Sequence, residues 1–242
     1  MPYYGYYGFY GFDWTYLCLV LPCMIFALIA SAKVKTTFNK YAKQFSRRNL
    51  TGQEAARQVL AAHGIYNVRI EQVAGKLTDH YDPKANVIRL SPEVYGSTST
   101  AAIGVACHEA GHAVQYAQEY GPIKLRSAII PVTNIGSKLA MPLILLGIIL
   151  NFLGEVSYAF IYIGIICFAL SLVFQLITLP VEFNASRRAI KTIENSQMLY
   201  EDEIKSAKKT LSAAAMTYVA ATAVALAQVL RLIMIFGRRS RD

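Results

Sequence analysis

The sequence has 242 residues, of which 55% are apolar and only 16% charged, and its formal net charge is +9. Soluble domains carry about a quarter charged residues, so the composition argues against a soluble protein and for several membrane spans. The basic residues cluster beside apolar segments, and no nucleic-acid recognition module accompanies them. We therefore attribute the charge to membrane topology and to contact with anionic lipid, and we expect no nucleic-acid partner.

The chain begins with an aromatic-rich leader at residues 1–13, which lacks the basic residues that precede the apolar core of a secretory signal. Its tyrosines and phenylalanines are typical of an aromatic belt at a membrane surface. Residues 14–32 are long and apolar enough to be the first transmembrane helix. The segment directly after them, "KVKTTFNKYAKQFSRR", is rich in lysine and arginine, so the positive-inside rule places it in the cytoplasm and the N-terminus outside.

Residues 33–138 are the only stretch with the character of a soluble domain, and we assign them to a cytoplasmic region that carries the candidate catalytic helix. The pattern predicts a helix at 51–64, strands at 66–73 and 86–91, and a turn at Asp82–Pro83 between them. This unit is too small to bury much core by itself, so we expect it to rest on the membrane-spanning helices. The second strand is a candidate edge for pairing with an extended substrate.

The helix at 101–117, "AAIGVACHEAGHAVQYA", carries two histidines and a glutamate among small apolar residues. His108 and His112 are four residues apart, so their side chains lie on one face, one turn apart, and can hold one zinc ion. Glu109 can reach a zinc-bound water without binding the metal. This is the H-E-x-x-H arrangement of metalloproteases, in which the glutamate is the general base.

The alternative for this helix is a chance match, with both histidines satisfied in a packed core. A buried polar group without partners costs about 1–3 kcal/mol, and a buried charge costs more. Three such groups within five residues favour a metal ion, because one ion compensates all of them together. Catalytic zinc takes three protein ligands and keeps one position open, so a third ligand must come from elsewhere in the chain.

The remaining chain is assigned to four segments: a transmembrane hairpin of helices 2 and 3 at 139–180, a cytoplasmic segment at 181–210, a fourth transmembrane helix at 211–237 and a basic tail at 238–242. The second helix is short unless it begins earlier, through Pro131 and Lys138. In the fourth helix we expect Arg231 to snorkel to the interface. The tail would then lie outside, which the positive-inside rule disfavours.

Acidic side chains and histidines elsewhere are candidates for the third ligand. They are His63, Asp79, His80, Asp82, Glu119, Glu155, Glu182, Glu194, Glu201, Asp202 and Glu203. Glu155 lies in the predicted external turn, and the run from 194 to 203 is typical of a solvated helix face. Glu182 is preferred because it follows the third span at its cytoplasmic edge, where Pro180 predicts a break before a helix and the carboxylate is poorly placed for solvent.

The stretch "ACHEAGHAVQYA", followed after the hairpin by "EFNASRRA" and preceded by "LTDHYDPKANVIRLSPEVY", resembles the neutral zinc metallopeptidases of the YugP-like membrane family over nearly the whole chain. More distantly, the ExxA pattern is similar to the third-ligand motif of HtpX-type membrane proteases and CAAX prenyl endopeptidases, whose glutamate binds zinc. The resemblance implies that His108, His112 and Glu182 bind one Zn²⁺. It also implies that Glu109 is the base. Those distant relatives carry Asp where this chain has Ser186. Which residue, if any, forms a hydrogen bond with the non-ligating nitrogen of a histidine ligand is therefore open.

These observations predict a mainly α, multi-pass membrane protein with about four transmembrane helices and a small α+β, zincin-like cytoplasmic unit. The predicted function is that of a membrane-embedded zinc endopeptidase of the cell membrane, with its active site facing the cytoplasm. Its expected partners are a polypeptide substrate and the lipid bilayer. A membrane-protein partner or a homo-oligomer stays open.

Two other functions compete with this prediction. An intramembrane metalloprotease would place the motif within a span and take an aspartate from another span, and the predicted spans offer no such aspartate. A non-catalytic membrane scaffold or assembly factor would hold a structural zinc closed by four ligands, and Glu109 would have no task. The donor that would stabilise an oxyanion also stays open, among Arg187, Arg188, His80 and the tyrosines.

Overall fold

The computed structural model describes residues 13–150, 152 and 154–237. The predicted leader, apart from Asp13, and the predicted basic tail lie outside the described residues. The described chain opens with a π-helical turn, Tyr16–Val20, and continues through α1 Leu21–Tyr41, α2 Gly52–Ala62, β1 Arg69–Gln72, β2 His80–Asp82, β3 Val87–Leu90, α3 Pro92–Tyr95, α4 Thr100–Ala117, α5 Gly121–Ile149, α6 Glu155–Asn195 and α7 Glu201–Phe236.

Four helices of the described chain are long and apolar enough to cross a membrane. They are the helix Tyr16–Tyr41, which joins the π-helical turn to α1, and the helices α5, α6 and α7. This confirms the predicted mainly α membrane protein with four candidate spans. The helix α4, which carries the two histidines of the motif, is not among these spans and lies in the core of the small α+β unit instead.

The second and third spans form a tightly packed antiparallel pair. α5 begins at Gly121, earlier than the predicted hairpin, so the short apolar run is the second part of a longer helix. A Cβ added at Gly147 would lie 2.6 Å from the carbonyl oxygen of Ser157, and one at Gly164 would lie 2.8 Å from that of Ala140. Glycine therefore permits the close approach of the two helices, as is common between spans.

The third span continues without a break into the region that carries Glu182. Pro180 lies inside α6, so the predicted break at this proline is wrong. A helix of 41 residues is about 60 Å long, roughly twice the thickness of the hydrocarbon core. The C-terminal part of α6 therefore extends beyond the apolar segment as a continuous helix, and it places Glu182 next to the α+β unit.

The α+β unit contains three strands in the order β1-β3-β2, with β1 parallel and β2 antiparallel to β3. β1 and β3 lie within the two predicted strands, whereas β2 falls where the sequence predicts a turn, because three residues are too few to show alternation. β3 is the central strand and is paired on both sides, so the expectation of a free edge there is wrong. The edge strand next to the motif helix is β2.

The core of the α+β unit is shared with three of the membrane-spanning helices, α1, α6 and α7, as expected from its small size. The small residues of α4 pack against α2 and β3 and against the ends of α6 and α7; the buried cluster includes Val59, Leu60, Ile88, Leu90, Ile103, Ala106, Cys107, Ala189, Ile193 and Ala207. A Cβ added at Gly111 would lie only 2.7 Å from the carbonyl oxygen of Ala185. The glycine within the H-E-A-G-H motif thus lets α4 approach α6 closely enough for the histidines to reach Glu182.

The last span is tied to the beginning of the first by an ion pair. Arg231 donates hydrogen bonds from Nε and Nη2 to Asp13 Oδ2, the former at 2.9 Å, and its guanidinium lies 5.4 Å from the ring centroid of Tyr16. Burial alone would raise the pKa of Asp13, but hydrogen bonds from Thr15 and Arg231 outweigh it and lower that pKa to about 2. Arg231 therefore has a specific partner rather than only snorkelling to the interface.

Candidate metal centre

The structure brings the three predicted metal ligands together although they come from two helices. Ser99 caps the N-terminus of α4, and the helix then presents His108 and His112 on one face, with their ring centroids 4.7 Å apart. Glu182 of α6 faces both rings. Its Oε2 atom lies 3.3 Å from His108 Nε2 and 3.5 Å from His112 Nε2. In the part of the chain that the structure describes, this is the only group of three or more His, Cys, Asp or Glu donors found close enough to share an ion.

The distances and the burial of these atoms fit a divalent metal ion. A tetrahedral zinc ion with bonds of about 2.0–2.2 Å holds its ligand atoms roughly 3.3–3.5 Å apart, which matches both measured separations. Glu182 Oε2 is also buried and has no hydrogen-bond partner among the described residues. A buried carboxylate oxygen without a partner is costly, and a cation between it and the two Nε2 atoms would compensate that cost.

The other oxygen of Glu182 is held by an arginine that the sequence analysis did not single out. Arg126 of α5 donates a hydrogen bond from Nη1 to Glu182 Oε1 at 3.1 Å. This contact separates the roles of the two carboxylate oxygens, because Oε1 accepts from the guanidinium and Oε2 faces the imidazoles. In the sequence Arg126 is one basic residue beside a predicted span, and no local pattern distinguishes it from a topology residue.

The outer nitrogens of both histidines have partners, and one of these partners determines the tautomer. Gln115 donates through its amide nitrogen to the carbonyl oxygen of Val181 at 2.8 Å and to Asn184 Oδ1 at 2.9 Å. Its Oε1 therefore accepts from His112 Nδ1, at 3.0 Å, and leaves the lone pair of Nε2 directed toward the centre. His108 Nδ1 lies 3.1 Å from Ser186 Oγ. Ser186 thus contacts a histidine from the position where the distant relatives carry Asp.

The charge around the centre is negative, which favours a cation. Burial alone would lower the pKa of His112, but the carboxylates of Glu182 and Glu109 outweigh burial and raise that pKa. Nearby, burial raises the pKa of Asp79, and the charge of Glu109 adds to this effect against the hydrogen bonds from Ser91. The same field that stabilises an imidazolium here would stabilise a divalent ion between the histidines.

Glu109 is buried beside the two histidines and is anchored by the edge of the sheet. Its Oε2 atom accepts a hydrogen bond from the backbone N–H of Tyr81 at 3.1 Å. Tyr81 is the middle residue of β2, and its ring packs against Tyr116 of α4 with centroids 5.5 Å apart. The strand β2, which was not predicted from the sequence, therefore orients the candidate base.

Two cavities reach the candidate metal centre, and His112 lines only the first of them. One, of about 250 Å³, is lined by polar groups that include His80, Tyr116 and Arg126. The other, of about 170 Å³, is lined mainly by apolar groups from α1, α4 and α7, such as Val34, Val105 and Leu211. His108, Glu109 and Glu182 line both cavities. The centre is therefore buried within the fold but reachable from two sides.

The other candidates of the sequence analysis are placed differently. Glu203 does not lie on a solvated helix face as expected; it is buried near the start of α7 and accepts hydrogen bonds from the backbone N–H groups of Arg47 and Tyr200. Among the candidate oxyanion donors, His80 lines the polar cavity, whereas Arg187 and Arg188 line neither cavity. Arg188 instead donates to Asn184 and Gln118, behind the metal centre.

The four candidate spans and the His–His–Glu cluster define a class, that of helical membrane proteins with a buried candidate metal centre. Comparison with known proteins agrees with this class. The family model described as "Putative neutral zinc metallopeptidase" matches residues 16–237. The chain is 46% identical over 221 residues to the "Putative membrane protease YugP" of Bacillus subtilis (strain 168), an alignment that covers 91% of this chain and 96% of that protein. The chain therefore belongs to the neutral zinc metallopeptidase family, which confirms the resemblance seen in the sequence. No solved structure matches it.

An arginine that positions Glu182 leads to a prediction about metal affinity. We expect Arg126→Gln to weaken zinc binding 10- to 100-fold, as the loss of other outer partners does, because Glu182 can then rotate away from the histidines. Loss of the positive charge by itself would raise zinc affinity, because the charge repels the cation. Arg126→Lys keeps this charge but loses the planar donor, so we expect it to lower zinc affinity at least as much as Arg126→Gln does. Competition with a zinc chelator measures both affinities. Lys124→Gln, on the same helix and exposed, is the control; tighter binding by Arg126→Gln would contradict the positioning role.

Proposed function

We propose that the chain is a membrane-embedded, zinc-dependent endopeptidase that hydrolyses peptide bonds of membrane-associated proteins. The observation that carries this proposal is the unpartnered, buried oxygen of Glu182 opposite the two Nε2 atoms of the H-E-x-x-H helix. In this proposal His108, His112 and Glu182 hold one zinc ion. Three protein donors are the number found in catalytic zinc sites, whereas structural sites are closed by four.

Zinc, when bound, supplies Lewis acidity that polarises a peptide carbonyl and makes a water molecule a better nucleophile at neutral pH. Glu109 is the general base. Its Oε2 is held by the Tyr81 N–H, so the carboxylate has a defined orientation and Oε1 is available to take a proton from the attacking water. The same carboxylic acid can then give that proton to the leaving amine. Gln115 and Ser186 hold the imidazoles in place during these transfers.

The surroundings of the centre support a substrate that lies at the membrane surface. Glu182 belongs to the part of α6 that follows its apolar segment, and the basic flanks after α1 and around the α6–α7 connection lie at the same end of the spans. By the positive-inside rule, this end faces the cytoplasm of the cell and the N-terminus lies outside. In the most apolar 18-residue stretch of α6, only 11% of the residues are buried within the chain. The bilayer, a membrane-protein partner or a second copy therefore covers the rest.

The position of α4 weighs against an intramembrane site. α4 is not a candidate span, and its residues pack into the α+β core rather than against lipid. A purely structural zinc site is less consistent with two cavities that reach the ligands. It would also leave Glu109 buried without a chemical task.

Metal removal and restoration test the proposal. We expect the protein purified in detergent to contain about one zinc ion per chain by mass spectrometry of the metal, and to cleave casein. Dialysis against a chelator should abolish cleavage, and one equivalent of zinc should restore it, because the general base has no activated water without the ion. Cleavage that persists after the zinc is gone would contradict the proposal. A zinc-loaded protein that cleaves neither casein nor unfolded membrane proteins would favour the scaffold function.

A further inference from the structure

A cavity of about 530 Å³ lies between α6 and α7 and adjoins the apolar cavity at the metal centre, with which it shares Ser186, Leu211 and Ala215. We name it the α6–α7 groove. Its buried floor is formed by Ile190, Leu211 and Ala215. Basic side chains surround it at one end, and exposed apolar side chains surround it at the other. The groove therefore combines the two surfaces that an amphiphilic molecule needs.

The direction of the two helices aligns this polarity with the membrane. α6 leaves its apolar segment toward its C-terminus, so Phe183 lies closer to the membrane than Lys191. α7 runs the opposite way, so Met216 lies closer to the membrane than Lys208. Phe183 and Met216 are 44% and 37% exposed and line the membrane end of the groove. A molecule in the groove would have its apolar part in the bilayer and its polar part at the surface.

Two of the three cations in the groove have no partner in the part of the chain that the structure describes. Arg187 and Lys191 are one turn apart on α6, and neither makes an ion pair or a side-chain hydrogen bond with any described residue. Lys208 lines the groove from α7, and its Nζ lies 3.7 Å from Oε1 of Glu194, the only acidic side chain among the described residues that line the groove. Arg188, which follows Arg187 in the sequence, differs because its Nε donates a hydrogen bond to Asn184 Oδ1. The groove thus has a net positive charge that no part of the described chain neutralises.

We infer that the α6–α7 groove binds an anionic phospholipid. Its phosphate and negatively charged headgroup lie between Arg187, Lys191 and Lys208, and an acyl chain follows Ile190 and Leu211 toward Phe183. Basic pockets between membrane-spanning helices are suited to such headgroups, and each lysine or arginine near an anionic lipid surface strengthens the attraction about fivefold. A zwitterionic lipid of the same chain length gains less, because its headgroup carries no net charge.

Lipid binding to the intact protein tests this inference without any assay of peptidase activity. The protein is placed in nanodiscs that contain equal amounts of phosphatidylglycerol and phosphatidylcholine, and the lipids that remain bound after transfer to detergent are counted by native mass spectrometry. We expect phosphatidylglycerol to be retained in preference. The Arg187→Gln/Lys191→Gln variant should lose roughly 25-fold in this preference, at about fivefold for each charge removed.

Two further variants separate a specific site from general surface attraction. Lys43→Gln/Lys205→Gln removes two exposed cations outside the groove and should keep the preference. Ser212→Trp fills the groove without changing its charge and should release the retained lipid. Equal retention of both lipids by the wild-type protein would overturn the inference. An equal loss of preference in the Lys43/Lys205 variant, or unchanged retention in Ser212→Trp, would also overturn it.

Discussion

Replacing Glu109 by glutamine is expected to abolish peptide hydrolysis while zinc stays bound. Glutamine has nearly the same shape, and its amide oxygen can still accept the hydrogen bond from the Tyr81 N–H. It cannot take a proton, however, and loss of a general base typically costs roughly 10²- to 10⁴-fold in rate. The measurement is kcat/KM for casein, or for a fluorogenic peptide derived from it, together with the zinc content of the same sample.

A matched substitution controls for loss of charge near the helix. Glu119→Gln changes an exposed glutamate just after α4 and should leave both activity and zinc unchanged. If Glu109→Gln retained activity within tenfold of the wild-type value, Glu109 would not be the base. If the Glu109→Gln variant lost zinc as well, Glu109 would have a structural role, and the assignment of Glu109 as base and not as part of the metal site would be wrong.

Removing the carboxylate of Glu182 is expected to reduce zinc affinity far more than any change outside the ligand set. In Glu182→Ala two histidines remain, and Arg126 loses its acceptor in a partly buried position. We expect the loss to exceed the 10- to 100-fold effect typical of an outer partner. Chelator competition gives the affinity. Zinc should also raise the Tm of the wild-type protein but not of the variant, because an ion that binds only the folded state stabilises it.

The Tm shift distinguishes loss of the ligand from loss of the fold. Glu182→Ala/Arg126→Ala removes the unpaired guanidinium and should recover stability in the metal-free protein without recovering zinc affinity. Glu194→Ala, farther along the same helix and exposed, is the control and should behave as wild type. Wild-type zinc affinity in Glu182→Ala would show that another residue completes the metal centre.

Some interactions of the centre could not have been predicted from local patterns. Tyr81 contributes a backbone N–H, which every residue but proline has, so no side chain signals it. Gln115 is one polar residue on a helix, and its importance comes from the fact that Val181 and Asn184 occupy its two donors. In the sequence Arg126 could not be distinguished from the basic residues that set membrane topology, because its contact with Glu182 forms only when α5 and α6 pack together. Each of these contacts joins residues that are distant in the sequence, apart from that between His112 and Gln115.

Residues close together in the sequence determined much of this protein by themselves. The length of an apolar run is a local property, so the four spans followed from composition, and the i, i+4 spacing placed His108 and His112 on one helical face. The tertiary structure alone decided that Pro180 does not end α6, that β2 rather than β3 is the edge beside the base, and that one oxygen of Glu182 faces both imidazoles while Arg126 holds the other. The physical reason is that these features depend on how closely the helices approach, which small residues such as Gly111 permit but do not specify.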